Sequence, residues 1–301
     1  MNFIYSLGFL SPPKTLITQK IQEVHRLYHE LIAKRDEIEM MMDGMVVKVD
    51  DIALEEELGY TVKYPKWMVA FKFPAIEKVT KIRAITLQVG RTGVVTPVAE
   101  VEAVNIEGVV VERATLHNFD EIVRKDIRIG DSVIIIRSGD VIPKIIKVLE
   151  QRRNGSEIAI TRPQTCPVCH EELLDDGALM KCQNLSCDAR IVGAIIHFAS
   201  KKALNIDGLG DKIVEQLYAQ KLVLHVKDLY YLTLEQLLSL EGFKEKKAIN
   251  LLEAIEQSKN VSLEKFINAL GIEHIGEVAA KKIARAFGYE WLEASYLAII
   301  A

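Results

Sequence analysis

The chain has 301 residues, 49% of them apolar and 27% charged, and a formal net charge of −4. That length exceeds one ordinary domain, and the acidic balance excludes a nucleic-acid binder that works through bulk positive charge. No apolar run approaches the ~20 residues that span a bilayer, so no transmembrane helix and no membrane partner is expected.

The first periodic segment runs from Thr18 to Glu39, with apolar side chains at Ile21, Val24, Leu27, Leu31 and Ile32. That spacing predicts an amphipathic helix with a charged outer face. Asp43-Gly44 then reads as a turn into a strand over Met45–Asp50, and a second strand over Met68–Phe73 stops at Pro74. Lys48 and Lys72 each sit between large apolar neighbours on these strands. Alternation alone turns a strand lysine toward water. If the strands pair, however, both ammonium groups can share one cleft with Asp43, a setting suited to a phosphate-bearing ligand.

From Lys78 to Leu149 the pattern changes to short strands split by turns: Ile82–Val89, Val94–Val104, Val109–Val111, Ser132–Arg137 and Val141–Val148. About five strands with glycine turns and no long helix fit a small closed barrel, with the OB-fold as the candidate. The turn Gly90-Arg91-Thr92-Gly93 is either an ordinary turn or a place where backbone and guanidinium meet a phosphate. Polar residues 151–165 read as a linker.

All four cysteines follow within a short stretch, as Cys166-x2-Cys169-x12-Cys182-x4-Cys187. Two close thiol pairs separated by a hairpin-sized segment form the tetrahedral cage of four sulfurs that Zn²⁺ prefers. Four thiolates leave no open coordination position, so the expected metal is structural and His170 is not needed. Disulfides would require an oxidising compartment, and the sequence offers nothing that reads as a secretory signal, so the expected location is the cytoplasm.

Beyond Ile191 the chain reads as helices with recurring punctuation. Ile206-Asp-Gly208-Leu-Gly210 precedes a helix over Asp211–Gln220, Leu240-Glu-Gly242-Phe-Lys244 one over Glu245–Ser258, and Leu270–Gly276 one over Glu277–Phe287. The turns recur about every 34 residues, an internal repeat of helix, glycine hairpin and helix. Such a turn leaves backbone N–H groups free at a helix start, where they can hold a phosphate oxygen without a cationic side chain. One turn alone reads as plain capping; three at regular spacing favour phosphate binding. Lys212, Lys244, Lys246, Lys247, Lys281 and Lys282 follow the turns and either add phosphate contacts or line a solvated face.

Taken together, Asp43-Gly-Met-Val-Val-Lys-Val49, Trp67-Met-Val-Ala-Phe-Lys-Phe-Pro-Ala75, Val89-Gly-Arg-Thr-Gly-Val-Val-Thr-Pro97, Ala114-Thr-Leu-His-Asn118 and Gly139-Asp-Val-Ile-Pro143, followed by the cysteines and the hairpins, resemble the bacterial NAD-dependent DNA ligases. The resemblance implies a multidomain α+β chain. Residues 1–75 would be the C-terminal part of an adenylation (nucleotidyltransferase) domain, 76–160 an OB-fold, 161–190 a four-cysteine zinc finger, and 191–301 a truncated helix-hairpin-helix domain.

Several roles follow from the resemblance. Asp43 and Lys48 fall on the strand lining an adenylate pocket, with Lys48 touching the nucleotide and Lys72 the adenylate phosphate, while Arg35 lies where the family has a functional arginine. Arg91, Thr92 and Gly93, with Gly208, Gly210, Gly242 and Gly276, are the implied DNA contacts. NAD, structural Zn²⁺ and Mg²⁺ or Mn²⁺ are the implied cofactors. The implied partner is nicked double-stranded DNA in the bacterial nucleoid, during replication and repair. The Lys-x-Asp-Gly motif that carries the family's nucleophilic lysine is absent from the 301 residues, and Lys34-Arg-Asp-Glu37 lacks its glycine. The expectation is therefore a ligase fragment without the nicotinamide-mononucleotide-binding region or BRCT domain, unable to adenylate itself. The alternative is a non-catalytic duplex or nick-binding module.

Overall fold

The computed structural model describes residues 2–9, 14–38, 42–106, 108–137 and 143–288. Glu39 at the end of the expected first helix, Gly139 to Ile142 of the fifth motif, and the segment 289–301 lie outside the described residues. The chain forms two compact units, one of residues 1–81, 101–114 and 132–152, the other of 82–100, 115–131 and 153–301. Strands β3 (Ile76–Val89) and β4 (Val94–Ile106) run through both.

The first unit opens with α1 (Asn2–Ser6) and α2 (Ile21–Ala33). The second helix is shorter than its periodicity predicts at both ends. Thr18 stays outside it: its hydroxyl accepts the Lys20 N–H at 3.0 Å and donates to Glu23 at 2.6 Å. After the last apolar position, Ile32, the Lys34 N–H closes on the Glu30 carbonyl and the chain tightens into a 3-10 turn over Arg35–Glu37. Strand β1 (Gly44–Lys48), helix α3 (Ile52–Leu58) and strand β2 (Met68–Lys72) follow. Asp51 caps α3, accepting the N–H groups of Ala53 and Leu54. Buried Leu27 and Leu31 of α2 pack with Phe73, and Tyr28, Met42 and Met45 join this small core.

The predicted barrel is present. Its strands are β3, β4, β5 (Val109–Thr115), β7 (Ser132–Arg137) and β8 (Lys144–Val148). They are hydrogen-bonded in the order β4-β3-β7-β8-β5, and β4 also pairs β5, which closes the ring. Alternation explains the interior: Val133 and Ile135 are fully buried while Ile134 and Ile136, which alternate with them, are half-buried. A short helix, α4 (Phe119–Arg124), lies where the sequence reading placed no element. Asn118 caps it by accepting the Glu121 N–H, and Phe119 and Ile122 are buried.

The second unit carries β6 (Arg128–Ile129) paired with β9 (Ile158–Ala159), then the hairpin β10 (Leu173–Asp176) and β11 (Leu179–Cys182). Strand β11 adds to the edge of β4, with Met180 opposite Val95 and Lys181 opposite Val94. Residues 151–165 are less linker-like than their polarity suggests. Arg153 holds Asp131, whose side chain is fully buried, through Nε to Oδ1 at 2.7 Å and Nη2 to Oδ2 at 2.9 Å, and reaches Asp126 as well. Arg162 likewise pairs with Asp120 and Asp175.

The helical part comprises α5 (Asp188–Ala199), α6 (Asp211–Ala219), α7 (Leu234–Leu238), α8 (Glu245–Gln257), α9 (Leu263–Ala269) and α10 (Glu277–Phe287). The three glycine turns join α5 to α6, α7 to α8 and α9 to α10, so the repeat read from the sequence is the repeat in the fold. A core containing Ile195, Leu217, Leu237 and Leu251 unites the first two pairs, and Leu263, Ile267 and Ala280 form a smaller core in the third.

Candidate nucleotide pocket and nucleic-acid interface

Strands β1 and β2 are antiparallel, pairing Gly44 with Lys72 and Lys48 with Met68. Since every second residue shares a face, Lys48, Val46 and Gly44 lie on one side together with Met68, Ala70 and Lys72. The two lysines thus share a face, as the cleft reading requires, but stand at opposite ends of the ladder, about 13 Å apart at ~3.3 Å per residue. Between them lies an apolar floor on which Val46 is 56% exposed. The other face is covered by α2: Phe71 stacks on Tyr28 with ring centroids 4.0 Å apart, and the Tyr28 hydroxyl donates to the Lys72 carbonyl at 2.8 Å. Gly44 lets the strands approach, because a Cβ there would lie 2.6 Å from the Phe71 carbonyl oxygen.

The Lys72 end is the charged end. Lys72 donates to Asp43, and this bond, with help from Lys72's charge and from Arg35, lowers the Asp43 carboxyl below its ordinary value. Arg35 lies over the Phe73 ring, 5.6 Å from its centroid. The structure thus gathers Arg35, Asp43 and Lys72 and leaves Lys48, exposed, at the far end.

The four cysteine sulfurs all lie within 4.8 Å of one another, with Cys166 to Cys187 at 4.0 Å and Cys169 to Cys182 at 3.5 Å. A tetrahedron with ~2.3 Å metal–sulfur bonds has edges of about 3.8 Å, so the cluster fits one Zn²⁺. Cys166, Cys182 and Cys187 are buried. Burial pushes the Cys182 and Cys187 thiols up, whereas the Glu171 backbone N–H holds Cys169 down. His170 is exposed and outside the cluster.

Among the glycines carried as DNA contacts, two kinds are distinguishable. Gly208 and Gly242 have φ of +80° and +75°, the left-handed region that a side chain disfavours. Gly210 and Gly276 begin α6 and α10 with φ of −81° and −96°, which any residue adopts, and a Cβ at either would meet nothing within 4 Å. Their own fold does not require glycine. Helices α6, α8 and α10 start without a side-chain cap; so do α2, α5 and α9, so it is the bare approach at Gly210 and Gly276 that marks these starts. A cleft of about 820 Å³ between the first two hairpins is lined by Gly208, Gly242, Lys244, Lys246 and Lys247.

In the turn after β3, Arg91 is half-buried and donates to the Gly271 carbonyl at 3.0 Å. Thr92 is half-buried beside it. Gly93 is buried at φ +83°, and a Cβ there would fall 2.1 Å from the Cys182 carbonyl oxygen, so packing alone demands glycine at this position.

Comparison with known proteins bears on this arrangement. The NAD-dependent DNA ligase adenylation domain profile matches residues 1–76, the NAD-dependent DNA ligase OB-fold domain profile matches 79–157, and a SAM-like helix-hairpin-helix tandem matches 200–257. The chain carries adenylation and OB-fold domains of the NAD-dependent DNA ligase family. It is similar to proteins named DNA ligase from Sulfurovum sp. (63% identical over 301 residues), Aliarcobacter butzleri (58% over 301) and Campylobacter lari (59% over 300). Each of these alignments takes in 100% of this chain and 46% of the relative, so the chain spans about half the length of these ligases.

The residues that sequence reasoning missed are mainly those that hold the site in shape. Tyr28 and Phe71, which seat α2 on the strand pair, fall inside the expected helix and strand but carry no pattern that singles them out. The Arg153–Asp131 clasp joins residues 22 apart and has no local pattern. Asn118 followed by Phe-Asp-Glu was a legible helix start. No helix among the described residues is long and apolar enough to cross a membrane.

Proposed function

We propose that this chain is the part of a nick-sealing ligase that contacts the adenylate phosphate and the duplex. Its domains in this reading are 1–75, 76–160, 161–190 and 191–301, as the sequence suggested. The family reaction joins a 5′-phosphate to a 3′-hydroxyl. A lysine attacks the α-phosphate of NAD, forming lysyl-AMP and releasing nicotinamide mononucleotide. AMP then passes to the DNA 5′-phosphate, and the 3′-hydroxyl displaces it. Arg35 and Lys72 stabilise phosphoryl charge at one end of the strand pair, Asp43 holds Lys72 when no nucleotide is present, and Lys48 contacts the nucleotide from the other end. Mg²⁺ or Mn²⁺ supplies further charge stabilisation. The four cysteines hold a structural Zn²⁺. Duplex DNA is held by Arg91 and Thr92, with Gly93 shaping their turn, and by the N–H groups at Gly208, Gly210, Gly242 and Gly276. The expected setting is the nucleoid of the bacterial cytoplasm.

The observation that carries this reading is the gathering of Arg35, Asp43 and Lys72 beside an open apolar floor, in a segment matching a ligase adenylation domain. The sequence has no Lys-x-Asp-Gly motif, so these 301 residues do not form lysyl-AMP. Incubation with NAD labelled in its adenylate phosphate, followed by a denaturing gel, tests this; a covalently labelled band sinks it. Binding of AMP alone tests the pocket itself. The bare helix starts at Gly210 and Gly276 also support a second reading, a duplex clamp that makes no use of residues 43–72. Under that reading Lys72→Ala changes neither AMP binding nor DNA binding; under the first it abolishes AMP binding.

A further inference from the structure

The turn Gly90–Gly93 and the third hairpin are fastened to each other by a bond that neither the sequence nor the family comparison indicates. Arg91 Nη1 donates to the Gly271 carbonyl at 3.0 Å. Gly271, just beyond α9, has φ +65°, and a Cβ there would stand 2.5 Å from Arg91 Nη1 and 3.2 Å from His197 Cδ2. The carbonyl is reachable because residue 271 lacks a side chain. Arg91 is seated on α5 through a second glycine, since a Cβ at Gly193 would fall 3.1 to 3.2 Å from the Cβ, Cα and N of Arg91.

Two further bonds hold the same hairpin. His197 Nε2 donates to the Asn268 carbonyl at 2.8 Å, and Lys181 Nζ pairs with Glu273 at 3.0 Å. Asn268, itself buried, donates through its amide to the Lys202 carbonyl at 2.8 Å. None of these residues lies on α10, yet together they set where Gly276 and the first amides of α10 stand.

We propose that Arg91 is a positioning residue: its guanidinium fixes the third hairpin against the turn, so that the turn and the start of α10 meet a duplex as one surface. The proposal rests on the reading of the hairpins as DNA contacts. A guanidinium has five N–H donors, so the bond to Gly271 leaves others for a phosphate, and the two roles differ only in their consequences. A lone phosphate ligand contributes independently of the hairpin. A positioning residue contributes through it.

The test is a double-mutant cycle between Arg91→Ala and Gly276→Ala, reading the affinity for a nicked duplex by anisotropy, with hydrogen exchange of the DNA-free chain alongside. We expect Arg91→Ala to weaken binding about tenfold alone, and less than about threefold when Gly276 is already alanine. In the DNA-free chain, Arg91→Ala speeds exchange of the amides between Gly271 and Ala280 and leaves those of α6 and α8 unchanged. Arg91→Lys keeps the charge and most of the stem against Gly193, guards against a general loss of fold, and speeds the same amides. Additive losses of affinity with unaltered exchange overturn the proposal and leave Arg91 an independent phosphate ligand. Faster exchange with wild-type affinity in every variant, Gly276→Ala included, refutes instead the reading of the hairpins as DNA contacts, and the positioning role falls with it.

Discussion

Replacing Gly210 by alanine separates folding from binding in a single methyl group. At φ −81° the backbone suits alanine, and the added Cβ meets no protein atom within 4 Å. Alanine is a poorer helix cap than glycine by roughly 0.5–1 kcal/mol, while the stiffer unfolded chain returns about 0.4–1 kcal/mol. The two nearly cancel, so thermal stability should stay within about 2 °C of the parent. Binding has no such offset. A backbone N–H on a phosphate oxygen is a hydrogen bond to a charged group, worth about 1.5–3 kcal/mol, and a methyl in its path removes it. The Kd for a nicked duplex should rise about 10- to 100-fold. Because no cationic side chain is lost, the slope of log K against log salt should not change. Gly208→Ala is the control with the opposite signature: at φ +80° alanine costs about 1–2 kcal/mol of folding stability, so melting should fall by several degrees. Melting curves and anisotropy titrations at three salt concentrations measure all of this. Wild-type affinity in Gly210→Ala would refute the argument that the bare helix start exists for a partner.

Lys72→Ala should abolish AMP binding, read by calorimetry, with duplex affinity nearly unchanged. The same substitution bears on Asp43, whose carboxyl Lys72 lowers. A carboxyl depressed in the folded chain contributes stability above its unfolded value near 4, and that contribution is lost as pH falls through the lower folded value. An NMR titration should therefore place Asp43 below about 3.9 in the parent and return it toward that value in Lys72→Ala. Arg153→Ala removes both guanidinium bonds from the fully buried Asp131 carboxylate and, among the described residues, leaves it the Arg128 N–H at 2.7 Å; the loss should be about 3 kcal/mol in denaturant unfolding, and Asp131→Asn in the same chain should recover part of it. Removing zinc with a strong chelator should expose four reactive thiols per chain and unfold the segment around Cys166 to Cys187; full protection of the thiols after chelation would contradict a structural metal.

Legibility followed the range of the interaction. The hairpin repeat was readable because each turn carries its own glycines and each helix its own periodicity; the starts of α6, α8 and α10 fall where the sequence placed them. The cysteine cluster was readable because its four thiols are close in sequence and chemically distinctive. For the two lysines, alternation gave each an outward position, but the register, which puts Lys48 and Lys72 on one face and at opposite ends of the ladder, is not written in the pattern. What escaped altogether was assembled from afar: Tyr28 on Phe71, 43 residues away, and Arg91 on Gly271, 180 residues away. For Gly93 the local motif gave no sign that the demand for glycine comes from the Cys182 carbonyl.

The acidic residues at the hairpins sharpen the question of how a chain of net charge −4 would hold DNA. Asp211, Glu245 and Glu277 each occupy the first turn of a helix that follows a glycine hairpin. There they complement the helix dipole by about 0.3–1 kcal/mol and steady the free helix without any ligand. They also oppose an approaching phosphate at long range. Lys247, one of the nearby cations, lies 4.1 Å from the Phe243 ring centroid and donates to the Gly242 carbonyl at 3.4 Å, so part of its charge is already committed. A surface of this kind attracts a polyanion weakly from a distance and holds it only once several amides meet several phosphates at the duplex spacing. Affinity then depends on the shape of the backbone more than on its charge. The association rate should accordingly respond less to ionic strength than it does for a lysine-rich binder, and single strands, which lack the fixed spacing, should bind far more weakly than duplex.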